Sequence, residues 1–107
     1  MATRSLIAVK TNNTFENIYC HWDGDPDNML GKLKGYYNTP EQVKYLLIEG
    51  DRATIEPWGK IYENPSKQAK NLPDLKKQAT ECNAEWVYLY DNECKSWQHF
   101  ETKNLKW

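Results

Sequence analysis

The stretch Glu85-Trp86-Val87-Tyr88-Leu89-Tyr90 most constrains what this chain can fold into. Aromatic and branched residues alternate there with a period of two. That spacing predicts a strand with Trp86, Tyr88 and Tyr90 on one face and Val87 and Leu89 on the other. Asp91-Asn92-Glu93-Cys94-Lys95 turns it into a second strand, Ser96 to Phe100, giving a C-terminal hairpin. An N-terminal hairpin is predicted from Ser5 to Lys10 and Ile18 to Trp22, joined across Thr11-Asn12-Asn13-Thr14, residues suited to turns. Matching apolar faces pairs Val9 with Ile18, Ile7 with Cys20 and Ser5 with Trp22. Leu6 is then expected beside His21 and Arg4 beside Asp23.

Helical signals lie between the hairpins. Asp23-Gly24-Asp25-Pro26-Asp27-Asn28 stops a strand, and Met29, Leu30, Leu33, Tyr36 and Tyr37 follow at helical spacing. Thr39-Pro40-Glu41-Gln42 combines an N-cap, an early Pro and a capping-box Gln, so a second helix should run to about Glu49 and stop at Gly50. Its buried stripe is Val43, Leu46 and Leu47. The pattern dissolves from Asp51 to Asn71, which reads as an irregular excursion with a candidate short strand at Ala53 to Pro57. Pro73 to Ala79 suggests a third short helix. The expected fold is one α+β domain spanning residues 1–107: an antiparallel sheet of two hairpins with two or three short helices packed on one face.

Composition narrows the function. Net charge is −1 and pI about 6.1, which argues against general nucleic-acid binding by phosphate contacts. The longest apolar run, Tyr45-Leu46-Leu47-Ile48, is far shorter than the ~20 residues that span a bilayer, so no membrane segment is expected. Three Cys without a Cys-x-x-Cys spacing, behind an N-terminus lacking a secretory apolar stretch, fit a reducing compartment.

Cys20, His21, Asp23, Asp25 and Asp27 form the densest reactive cluster, where a strand empties into a loop. His21 with Asp23 or Asp25 offers ligands for a divalent cation, but the spacing matches no specific motif and the position of the carboxylates ahead of Met29 favours capping of the first helix and Asx turns. Cys20 and His21 point to opposite faces of a strand and cannot form a nucleophile–base dyad with each other. Cys82, Cys94 and His99 lack a zinc-knuckle spacing. No cofactor or metal is expected. Five Trp and seven Tyr supply a different signal, because Trp22, Tyr88, Tyr90 and Trp97 lie on expected strands. They can stack a flat ligand, form an oligomer interface or fill the core.

Ala2-Thr3-Arg4-Ser5, Ile18-Tyr19-Cys20-His21-Trp22-Asp23-Gly24, Gly31, Tyr37, Val43, Leu47, Gly50-Asp51 and Glu85 to Asp91 together resemble a group of small proteins encoded by bacteriophages and prophages. That pattern usually continues with Tyr-Pro where this chain has Asp25-Pro26. The resemblance implies action in the host cell cytoplasm and a counter-defence role, but assigns no activity to particular residues. Three readings follow. One is a non-enzymatic sponge, expected to be a homo-oligomer, that sequesters a cyclic-nucleotide or cyclic ADP-ribose type signal with Arg4, His21, Trp22, Asp23, Tyr88, Tyr90 and Trp97. The second is an inhibitor resembling anti-CRISPR proteins, binding a host defence protein through the excursion around Trp58. The third is a phosphodiesterase-like enzyme using His21 and Asp23.

Overall fold

A computed structural model describes residues 3–11 and 14–104. The chain forms β1 (Ser5–Thr11), β2 (Thr14–Cys20), α1 (Pro26–Tyr36), α2 (Pro40–Glu49), β3 (Lys67–Ala69), α3 (Leu72–Glu81), β4 (Trp86–Asp91) and β5 (Ser96–Glu101), closed by a 3-10 turn at Thr102–Asn104. One five-stranded sheet results, in the order β3-β2-β1-β4-β5. Both expected hairpins form, and the fold is α+β. The sheet is antiparallel except where the hairpins meet, since β1 and β4 run parallel.

The first hairpin is displaced by two residues from the expected register. Ser5 lies opposite Cys20, Ile7 opposite Ile18 and Val9 opposite Glu16, with Thr11 opposite Thr14 closing the ladder. A two-residue slip keeps every side chain on its face, so matching apolar faces could not distinguish the two pairings. Asn12 and Asn13, the centre of the expected turn, lie outside the described residues.

The helices do not share one face. Ile7, Val9, Ile18, Cys20, Tyr88, Tyr90 and Trp97 pack with Met29 and Leu33 of α1 and Val43, Leu46 and Leu47 of α2. Leu6, Ala8, Phe15 and Val87 pack on the other face against Leu75 and Ala79 of α3. The physical cause is in β1, where Ser5 through Val9 are all buried and Leu6–Val9 carries no polar alternation. A strand apolar on both sides needs cover on both. Expecting all helices on one face therefore holds for α1 and α2 alone.

Local capping sets the helix boundaries. Thr39 and Gln42 form the expected capping box of α2. Asn71 caps α3 by accepting from the Asp74 N–H. Asp25 occupies the α1 N-cap without a side-chain cap bond, and Pro26 begins the helix.

The excursion after α2 is ordered. Arg52 donates its N–H to Tyr19, Ala53 to Lys60 and Tyr62 to Asp51, so the segment folds back on itself beside the end of β2. Farther along, Lys67–Ala69 pairs with Phe15–Asn17 as β3, a strand the sequence pattern did not reveal. Gly50 enters this strap at φ 87, and a Cβ there would collide with the Asn64 carbonyl oxygen. Glycine is required.

At its centre sits Arg52, 0 % exposed. Nε donates to the Thr54 carbonyl (2.7 Å), Nη2 to the Glu56 carbonyl (2.6 Å) and Nη1 to the Glu49 carboxylate (3.2 Å). A buried guanidinium costs desolvation that these charge-assisted bonds must offset, and removing it strands their acceptors. Arg52→Ala is expected to lower unfolding free energy by about 3–5 kcal/mol, measured in urea. Arg52→Lys should recover only part, because an ammonium lacks the planar fork. A loss below about 1 kcal/mol in the Ala variant would show that the strap holds without this residue.

Candidate functional site

Beyond Cys20 the chain is held from three sides. His21 and Trp22 donate their N–H groups to the Arg52 and Ala53 carbonyls (3.1 and 2.8 Å), and Gly24 donates to the Thr3 carbonyl (2.9 Å). The Gly24 carbonyl accepts the buried Tyr88 hydroxyl at 2.5 Å. A Cβ on Gly24 would stand 2.7 Å from the Thr3 oxygen and 2.9 Å from Ser5, so only glycine allows this approach. Asp23, at φ 57, supplies the left-handed step before it.

This scaffold assembles three of the expected site residues through a fourth. Tyr19, half-buried on the α3 face, places its hydroxyl 2.6 Å from His21 Nδ1. Burial raises the Tyr19 pKa, opposed by the charge of the nearby Arg4 guanidinium. The raised pKa keeps the phenol protonated at neutral pH, within hydrogen-bond distance of the imidazole. The edge of His21 meets Trp22 with ring centroids 4.7 Å apart, and Trp22 is 45 % exposed. Arg4, Tyr19, His21 and Trp22 thus form one row. Tyr19 was missed although it lies two residues before His21 and so on the same face of the strand.

Asp23 does not join the row. The expected Arg4–Asp23 pairing depended on the other register, and no ion pair links Asp23 to Arg4 or His21 among the described residues. Its carbonyl instead accepts from the Asn28 side chain at 2.8 Å. Among the described residues, no group of three or more His, Cys, Asp or Glu stands together as a metal site.

Tyr88, Tyr90 and Trp97 are core residues rather than an open wall. Both tyrosines are 0 % exposed, and the Trp97 indole donates to the Tyr37 carbonyl at 2.8 Å. Two hollows flank the row instead. One of about 430 Å³ includes Asn17, Tyr19, Asp51, Lys67 and Glu81. The other, about 770 Å³, includes Arg4, Glu85, Trp86, Glu101 and Lys103. Their carboxylates oppose a strongly anionic occupant.

A second surface is apolar. Trp58 is 74 % exposed, Ile48 66 % and Tyr45 64 %; Tyr36 meets the Trp58 edge with centroids 5.6 Å apart. Tyr36 and Tyr45 border one groove of about 310 Å³ with Tyr37, Glu41 and Gln42. The sequence singled out Trp58. Tyr45 and Ile48 were equally legible, being apolar residues three apart on the helix side opposite Val43 and Leu46.

No protein-family model matches the chain, and no match was found among curated proteins or solved structures.

Cys20 is structural: burial pushes its thiol up to about 12, and Sγ faces the Trp22 and Ala53 carbonyls. The unfolded chain releases this proton near the ordinary value of 9.0, whereas the folded chain retains it. Stability contributed by the neutral thiol is therefore complete below pH 9 and declines towards pH 12, by about 1.4 kcal/mol per pH unit. Urea titrations across that range should show Cys20→Ala losing this part of the slope. Equal slopes in both proteins would contradict the assignment.

Proposed function

We propose that this chain is a non-enzymatic binding protein that engages a protein partner through Trp58, Tyr36, Tyr45 and Ile48. The carrying observation is that these large apolar side chains lie exposed along one surface, on α1, α2 and the Arg52-centred strap. Trp and Tyr dominate interface hot spots because they bury much area while losing few rotamers. Ion pairing at the rim, such as Lys32–Glu56 at 3.3 Å, provides a polar border. In the bacteriophage setting implied by the sequence resemblance, the partner is a host defence protein and binding inhibits it. Near-neutral charge argues against mimicry of DNA.

A second reading is supported by the Arg4–Tyr19–His21–Trp22 row, which offers a guanidinium, an imidazole and an exposed ring to a nucleotide-derived signal. Sequestration would leave such a ligand chemically intact.

Affinity capture from host cells should retain one stoichiometric protein on the wild-type chain. Trp58→Ala should weaken that complex by at least about 30-fold, the scale of a hot-spot residue, while leaving the fold unchanged by circular dichroism. Undiminished retention by Trp58→Ala would overturn the protein-binding surface. A thermal shift with a cyclic nucleotide, abolished by Arg4→Ala and not by Trp58→Ala, would favour the second reading.

A further inference from the structure

The two edges of the sheet are built differently. β3 is only three residues long, follows Pro65 and begins with Lys67, features that blunt an edge against pairing. β5 is twice as long and reads Ser96-Trp97-Gln98-His99-Phe100-Glu101, with no Asp, Glu, Lys or Arg before its last position. Proline and a bulge are also absent from that run. An edge of this kind is a template for another strand.

Its outward groups follow from the ladder. Thr102 donates its N–H to Glu85 (2.9 Å), one pair beyond Trp86–Glu101. Antiparallel pairs alternate between bonded and non-bonded, so Trp97, His99 and Glu101 turn their N–H and C=O away from β4. No hydrogen bond to those outward groups is present among the described residues. On the α3 face, Leu89 and Phe100 remain half-buried beside this margin.

We propose that β5 pairs antiparallel with β5 of a second copy of this chain, about a two-fold axis through Gln98. That register sets Trp97 against His99 of the other copy as bonded pairs and Lys95 against Glu101, twice by symmetry. Lys95, the left-handed turn residue just before the strand (φ 54), is thereby brought beside Glu101 of the other copy. Shifting the axis by one residue to His99 would instead set Glu101 against Trp97. Self-complementarity of both backbone and charge selects a second copy over an unrelated extended peptide. The Glu101–Lys103 contact at 3.4 Å is a solvent-exposed pair and does not prevent the exchange. One strand pair buries less than the roughly 1,200–2,000 Å² of a stable interface, so the dimer forms at high concentration.

Sedimentation equilibrium of the full chain tests this across micromolar to near-millimolar concentration. Wild type should show reversible dimerisation. Glu101→Lys, which places like charges opposite each other twice, should weaken it about tenfold; Lys95→Glu combined with Glu101→Lys should restore it. Circular dichroism confirms that each variant keeps the fold. A monomer at every concentration overturns the proposal, as does a dimer insensitive to Glu101→Lys. Loss of dimerisation in Trp58→Ala instead assigns self-association to the aromatic surface and also overturns it. A double variant no tighter than Glu101→Lys contradicts the register.

Discussion

Arg52 ties α2, the end of β2 and the strap together through buried hydrogen bonds. Its side chain joins the last turn of α2, through Glu49, to the strap carbonyls of Thr54 and Glu56, while its backbone bridges the end of β2. The Tyr37 hydroxyl adds a bond from the end of α1 to Ile55 at 3.0 Å. A charge without water has few stable solutions, so this network specifies one strap conformation rather than merely adding stability. Both candidate surfaces inherit that order. His21 and Trp22 are anchored to the strap's inner edge, and Trp58 projects from its outer part.

The aromatic content explains why the rest of the core needs such matched polar contacts. Rings filling an aliphatic-poor interior bring hydroxyl and indole groups with them, and each buried donor requires an acceptor. Tyr88 finds Gly24, Trp97 finds Tyr37 and Tyr37 finds Ile55, all backbone carbonyls in connecting segments. The core therefore fixes the loops directly. Tyr90 and Ser5 are the exceptions: their buried hydroxyls have no partner among the described residues.

Much of the fold was legible because its signals were local. The capping box of α2 and the alternation in β4 depend on residues within one element. What sequence reasoning missed depends on distant partners. β3 consists of Lys67, Gln68 and Ala69, poor strand formers that extend because Phe15–Asn17 offers an unpaired edge. Arg52 carried no signal in the sequence, since nothing adjacent announces that a guanidinium will be enclosed. At the site, His21 and Trp22 were named from their place at a strand end, and Arg4 from a cross-strand pairing with Asp23 that does not form. Tyr19 was not, because its role requires knowing that Arg4 and His21 share its face. Tyr88, Tyr90 and Trp97 carried three readings in sequence, ligand wall, oligomer interface or core, and only packing could distinguish them.

Both candidate surfaces depend on the strap being a fixed part of the fold. Native-state hydrogen exchange at the amides of Arg52, Ala53 and Tyr62 tests this directly, because each donates to a defined carbonyl, on Tyr19, Lys60 and Asp51 respectively. These three amides should open with free energies near that of global unfolding, as core strands do. Exchange at the rate of an unprotected surface loop, while β1 and β4 remain protected, would contradict the account.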